Sequence, residues 1–270
     1  RRVREALIEL FDFTWMNAKL FHAAYARTAS FFEGSQLSAR GNPASAAEQT
    51  LLAPFANELR PDVFDGSYQP PVSDGTGHDR QRIRRALTLF AEAGWMLRNG
   101  VMVRSETGAP FQFEILVTKR EDERVATIYA TMLKRAGILA NVRMVEGGQF
   151  EARRQQYDYD MIPAAWQQSL SPGNEQYFYF GSTSAAQTAT RNYMGMKSPA
   201  ADAMIAALLR AQTPEELIAA ARALDRVLMS GQYVIPLYHL PRQWVARWPQ
   251  IERPKNLSLY GALPETWWHK

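Results

Sequence analysis

The stretch Phe111-Gln112-Phe113-Glu114-Ile115-Leu116-Val117, the helical run after it, and Val142-Arg143-Met144 together decide the fold class. Phe111, Phe113, Ile115 and Val117 alternate with the period of two that marks a half-buried strand. Val125, Ile128, Tyr129, Met132, Leu133 and Ala136 then recur on one helical face, and Gly137 stands where a helix end takes a left-handed residue. Val142 and Met144 resume the alternation. Strand, helix and strand with short connections make a βαβ unit, hence parallel strands and a right-handed crossover. The class is α/β.

Upstream, Asp79 is placed to cap a helix whose face is Ile83, Leu87 and Phe90 and which Gly94 ends. Earlier still, Val3, Ala6, Leu7, Leu10 and Phe11 predict helix over residues 2–20. Between them lies a long Gly/Pro/Ser-containing stretch, Gly34 to Asp79, with one short helix expected around Ala46–Leu59. Connections of that length are functional or packed as an arm. Downstream, the pattern predicts a helix over 147–156, a third strand over Tyr159–Ala165, and a helix carrying Met204, Ile205, Leu208 and Leu209. Thr213-Pro214-Glu215-Glu216 is a capping box with proline at the first helical position. Its helix presents Leu217, Ala221, Leu224 and Leu228. The closing stretch, Tyr233–Trp268, is rich in strand formers interrupted by prolines.

The 270 residues are 46% hydrophobic and 21% charged, enough to bury a sizeable core. A formal net charge of +4 gives no concentrated basic tail, and no nucleic-acid partner is expected. Arg80, Arg82, Arg84 and Arg85 form the most basic patch, but they lie opposite the apolar face and carry no interleaved aromatics. They read as a solvated helix face. With no cysteine, disulfides, thiolate metal sites and a cysteine nucleophile are excluded. No apolar run approaches the ~20 residues that span a bilayer. Arg1-Arg2-Val3-Arg4 reads as helix from its first residue without a capping side chain. That is expected of a chain whose natural N-terminal portion lies upstream.

Catalytic motifs are absent. His22, His78, His239 and His269 have no helical metal-ligand spacing, so no metal and no cofactor is expected, and there is no G-x-S-x-G elbow or P-loop. Asp158 and Asp160 share a strand face and could serve as an acid/base pair, although turn-forming aspartates are common at a strand start. The segment that most resembles a binding surface is Trp166-Gln167-Gln168-Ser169-Leu170-Ser171-Pro172-Gly173-Asn174-Glu175-Gln176-Tyr177-Phe178. It leaves the carboxyl end of the third strand, where α/β folds place ligands, and sets an indole among uncharged hydrogen-bonding groups. Equally, Trp166 reads as core and Ser171–Asn174 as a turn into a helix.

Five ordered elements resemble the family 5 extracellular solute-binding proteins of ABC importers for oligopeptides, dipeptides and nickel. They are Ala86–Trp95 with Gly100; Thr131–Ile138; Tyr157-Asp158-Tyr159-Asp160 with Trp166 and Pro172; Arg191-Asn192-Tyr193 with Asp202 and Ile205; and Ile235-Pro236-Leu237-Tyr238. Gln167–Gln176 and Phe11–Asn17 look like the YejA-like branch, associated with peptide and microcin C uptake. The resemblance implies a periplasmic-binding-protein type II-like lobe with a mixed sheet flanked by helices. Residues 1–233 would form the C-terminal lobe, and 234–270 would cross the hinge back to an N-terminal lobe. It also implies a periplasmic location, ABC transporter permease subunits as partners, and closure of two lobes over an oligopeptide or similar solute, without catalysis.

Carried over by position, Trp166 matches a family Trp lining the cleft. Many peptide-binding members place an Asp three residues later to pair with the peptide ammonium, and here that position is Ser169. Gln168, Ser169, Asn174, Glu175, Asn192 and Tyr193 complete the expected ligand-binding set, with Glu175 or a group on the other lobe as the substitute carboxylate. The competing reading is an α/β hydrolase or glycoside-processing domain using Asp158, Asp160 or Glu175. A third is a chaperone-like or sensory binding domain of the same fold.

Overall fold

A computed structural model describes residues 1–258 and 261–270; Leu259 and Tyr260, inside the proline-interrupted closing stretch, lie outside the described residues. The single helix expected over residues 2–20 is two, α1 (Arg2–Glu9) and α2 (Phe13–Leu20). Asp12 accounts for the break: its carboxylate accepts the Trp15 N–H at 2.9 Å and starts a new helix in a new direction. β1 (Ala26–Arg27) follows. In the long arm, α3 (Ala46–Leu52) opens with a complete Ser45/Glu48 capping box, and its α-helical part stops short of the expected Leu59. Pro54 lacks the N–H that would continue it, and Ala53–Glu58 tightens into a 3₁₀ turn.

α4 (Arg80–Glu92) is capped by Asp79, which accepts the Gln81 and Arg82 N–H groups. It leads into a hairpin that sequence periodicity does not reveal, β2 (Trp95–Arg98) and β3 (Val101–Arg104). The turn residues Asn99 and Gly100 both have positive φ, as a two-residue hairpin turn matching the strand twist requires. β4 (Gln112–Val117), α5 (Arg120–Arg135) and β5 (Leu139–Met144) form the βαβ unit, paired parallel in the register Gln112↔Leu139 to Val117↔Met144. β4 is not half-buried at its end. Ile115 and Val117 pack under α5, and Leu116 is buried on the opposite face with Val145 and Phe150.

α6 (Gly147–Gln156) ends in a left-handed Tyr157. The third strand expected over Tyr159–Ala165 is reduced to one parallel bridge, Ile115↔Met161, with backbone bonds on either side of Met161. Pro163 has no N–H to extend the ladder. α7 (Glu175–Phe180), α8 (Pro199–Arg210) and α9 (Pro214–Gly231) follow, the last with both bonds of its capping box formed. Among its described residues the closing stretch yields the two-residue strands β6 (Tyr238–His239), β7 (Ile251–Glu252) and β8 (Trp268–His269). β6 pairs antiparallel with β1 and ties residues 238–239 back to the start of the chain.

The result is an α/β architecture whose strands pair two by two among the described residues, with parallel and antiparallel pairs both present. Two main cores organise it. One joins α1, α4 and α5 around Phe90, Leu133 and Ile138; the other joins α3, α7, α8 and α9 around Phe180, Ile205 and Leu224. The basic patch on α4 is only partly a solvated face. Arg82 bonds Glu9 at 2.6 Å, and Arg85 bonds Glu5 at 2.8 Å and Glu9 at 2.9 Å, so these two arginines clamp α4 to α1. Arg80 and Arg84 are exposed, as expected.

Candidate functional site

Between the two cores runs an open cleft of about 1360 Å³. Its walls combine residues of α1, β4, α5 and α9 with irregular segments: Thr28–Ser35 after β1, Tyr157–Leu170 after α6, Tyr193–Lys197, and Tyr233–His239 leading into β6. Irregular backbone held between rigid cores is where binding groups concentrate, because its N–H and C=O groups are not consumed by ladders.

Trp166 reconciles the two readings of its role. One edge packs into the α7–α9 core, with ring centres 5.7 Å from Phe180 and 5.9 Å from Phe31, while the half-buried remainder lines the cleft. Its indole N–H donates to the Arg191 carbonyl at 2.9 Å, which fixes the ring plane. The Tyr193 ring lies tilted beside it, centres 5.6 Å apart, and its hydroxyl accepts a bond from Arg154. Gln168 and Ser169 also line the cleft. The Gln168 amide oxygen accepts from Gln176 at 2.7 Å, and Ser169 is exposed with its hydroxyl accepting the Ser171 N–H.

Three residues of the expected set do not line the cleft. Asn192 is fully buried: its side chain donates to the carbonyls of Gly181 and Met196 and accepts the Met196 N–H, so it staples a turn. Glu175 turns back on its own loop, accepting the Gly173 N–H at 2.8 Å, and backbone bonds of that kind help hold its carboxyl below the usual glutamate value against the opposing effect of burial. Asn174 is exposed at the start of α7 without a side-chain capping bond.

The carboxylate pair imagined for acid/base work is dispersed. Asp158 pairs with Arg153 at 2.8 Å, and Asp160 accepts the Glu114 N–H at 2.9 Å, which holds the 158–161 segment against β4. Among the described residues no cluster of three metal-ligating side chains forms, and no helix is long and apolar enough to cross a membrane.

The wall Thr28–Ser35 escaped sequence reasoning altogether. It is held by Asp225, a fully buried aspartate in the middle of α9. One of its oxygens accepts the Phe31 N–H at 2.8 Å, and the other accepts the Ser30 hydroxyl at 2.7 Å and the Ala39 N–H at 2.9 Å. Burial pushes this carboxyl up to about 6, because three donors only partly replace lost water. The one available signal was an Asp-Arg pair inside an otherwise apolar helical pattern, Asp225-Arg226. Arg226 is equally buried and bonds Glu48 at 2.6 Å.

The model for the middle region of bacterial extracellular solute-binding proteins, family 5, matches residues 1–188. The chain belongs to this family. It is 49% identical over 269 residues to a putative binding protein of Brucella melitensis, covering all of this chain and 44% of that protein. It is 39% identical to the peptidoglycan-binding protein YepA of Agrobacterium fabrum, covering 99% and 43%, and 37% identical to the uncharacterized protein YejA of Escherichia coli, covering 100% and 44%. The chain thus spans less than half the length of these curated relatives. Among solved structures it resembles the oligopeptide-binding protein AppA of Bacillus subtilis, in complex with a nonapeptide, with TM-score 0.66 and 18% identity over all of this chain and 47% of that one. The fold is that of a type II periplasmic-binding-protein lobe. The family is defined by solute binding, and the hydrolase reading has no support.

Proposed function

We propose that this chain forms most of the C-terminal lobe of an ABC importer's solute receptor, one that captures oligopeptides or peptide-like solutes in the periplasm and delivers them to permease subunits. The observation that carries the reading is the cleft itself: a wide groove floored by Trp166 and Tyr193 and edged by amides and free backbone, a mix suited to an extended, amide-rich ligand. Two relatives of this chain are named as peptide- or peptidoglycan-binding proteins, which agrees with that chemistry. Residues 1–233 form the lobe in this reading, and 234–270 return through the hinge to a second lobe. Trp244 and Trp248, 89% and 73% exposed, are the surfaces that lobe covers. Binding then draws the lobes together, the closed form being favoured because both contact the ligand. The receptor performs no chemistry on what it carries.

The test is native mass spectrometry of the full-length gene product offered a random tripeptide-to-pentapeptide library and, separately, a panel of oligosaccharides. Retention of peptides is expected. Retention of an oligosaccharide with no peptide retained overturns the peptide reading.

A further inference from the structure

Charged side chains that line a ligand cleft are either held by the protein or left for the ligand, and here they divide cleanly. Arg4 donates twice to the Gly231 carbonyl and lies over the Tyr233 ring. Glu33 accepts the Ala29 N–H and pairs with Arg40 at 2.9 Å. Asp160 is taken up by the Glu114 N–H, and the His239 ring is bonded to the Thr28 hydroxyl at 3.1 Å. Two charges remain without a hydrogen bond or ion pair among the described residues. One is Asp122, on the wall built by the α1/α4/α5 core. The other is Lys197, exposed at the Tyr193–Lys197 wall.

Asp122 stands in the first turn of α5 together with Glu121 and Glu123, and of these three acids it alone lines the cleft. It is partly buried, with Val125 and Ala126 as its companions on the wall. Tyr238, another cleft residue, lies within reach of its field: that phenol is pushed up to about 12, first by burial, then by the Tyr25 and Asp122 charges. Behind Tyr238 sit Phe13, Phe21 and Tyr25, with ring centres 6.0, 4.7 and 4.7 Å away. Burial also holds the Asp122 carboxyl above the usual aspartate value, against the opposing pull of the nearby Lys119 charge.

We infer that Asp122, on the α5 wall of the cleft, is the anchor for a cationic group of the ligand, an ammonium in the case of a peptide. A partly desolvated carboxylate gains most from a cation that brings its own N–H donors. The position is different from Ser169, where a carboxylate is missing, and from Glu175, which is consumed within its own loop. Lys197, exposed and also lining the cleft, leaves an ammonium for an anionic group of the same ligand.

This inference rests on the peptide-capture reading, and the experiment separates the two. Calorimetric titration of the full-length gene product uses an equimolar tripeptide mixture with free amino termini and the same mixture N-acetylated, each with wild type and with Asp122→Asn. Wild type is expected to bind the free-amine mixture roughly 30-fold or more tighter than the acetylated one. Asp122→Asn removes that preference by weakening only free-amine binding, and Asp122→Glu restores part of it. The inference alone falls if wild type binds peptides without preferring the free amine, or if Asp122→Asn keeps the preference. Both fall if wild type binds neither mixture. Thermal midpoints of the variants within about 2 °C of wild type exclude unfolding as the cause of lost binding.

Discussion

Asp225→Asn tests the reasoning about the cleft wall quantitatively. The Asp225 carboxyl has an unfolded value near 3.8 and about 6 in the folded protein. Between those values the folded state holds a proton that the unfolded chain has released, so stability falls as pH rises from about 4 to about 6 and is level above. The shift of about two units corresponds to about 3 kcal/mol, the net cost of keeping this buried group ionised at neutral pH. Asparagine stays neutral and carries no such slope. Its oxygen still serves the Ser30 hydroxyl and the Ala39 N–H, but its NH₂ faces the Phe31 N–H and orphans that donor at about 1–3 kcal/mol. At pH 7.5 the two effects nearly cancel, and the variant is expected within about 2 kcal/mol of wild type. At pH 4.5 the relief is mostly gone and only the orphaned donor remains, so the variant is less stable by about 1–3 kcal/mol. Urea denaturation followed by tryptophan fluorescence at half-unit pH steps measures the difference, in which the titration of all other groups cancels. A difference that stays flat within about 0.5 kcal/mol from pH 4.5 to 7.5 refutes the account of Asp225 as a carboxyl raised by burial.

Trp166→Ala is expected to weaken peptide affinity by roughly 30-fold, as loss of a central aromatic anchor does, whereas Asn192→Ala lowers the denaturation midpoint; calorimetry and urea titration separate the two. Arg226→Met strands the buried Glu48 carboxylate and the Asn42 and Val63 carbonyls, for an expected loss of about 3–5 kcal/mol. The double variant with Glu48→Gln, which keeps the Ser45 capping box, should lose less than Arg226→Met alone; a greater loss contradicts the ion-pair assignment. Gly137→Ala puts a Cβ within 2.7 Å of the Met102 nitrogen at φ +78° and should cost about 2–4 kcal/mol. Gly34→Ala, at φ +77° with open space around it, should cost about 1–2 kcal/mol.

Local order was legible wherever one residue type had one physical job. Asp79 and Thr213 were readable as caps because a short side-chain oxygen before an apolar periodic run has few other uses, and both make the expected bonds. The βαβ unit was readable because strand and helix periods differ, and the parallel direction of its strands follows from the helical crossover between them. The β2–β3 hairpin was not, because two four-residue strands are too short to establish a period. The binding segment around Trp166 was legible as composition, a ring among amides. Its division into cleft residues and loop staples was not, since Glu175 and Asn192 have the same chemistry as ligand contacts and differ only in which way the backbone turns them.

The charge of the cleft belongs to the tertiary structure for the same reason. By itself the sequence determined the α/β class, the helix boundaries set by caps and left-handed residues, and the aromatic-amide character of the segment after Tyr159. Only the folded chain decided that Glu33, Asp160 and Arg4 are spent on the protein while Asp122 and Lys197 are not. Pairing of most such groups depends on neighbours distant in sequence, as in Asp160 with Glu114, Arg4 with Gly231 or Asp225 with Phe31, and no local pattern encodes which of two identical carboxylates will find a partner.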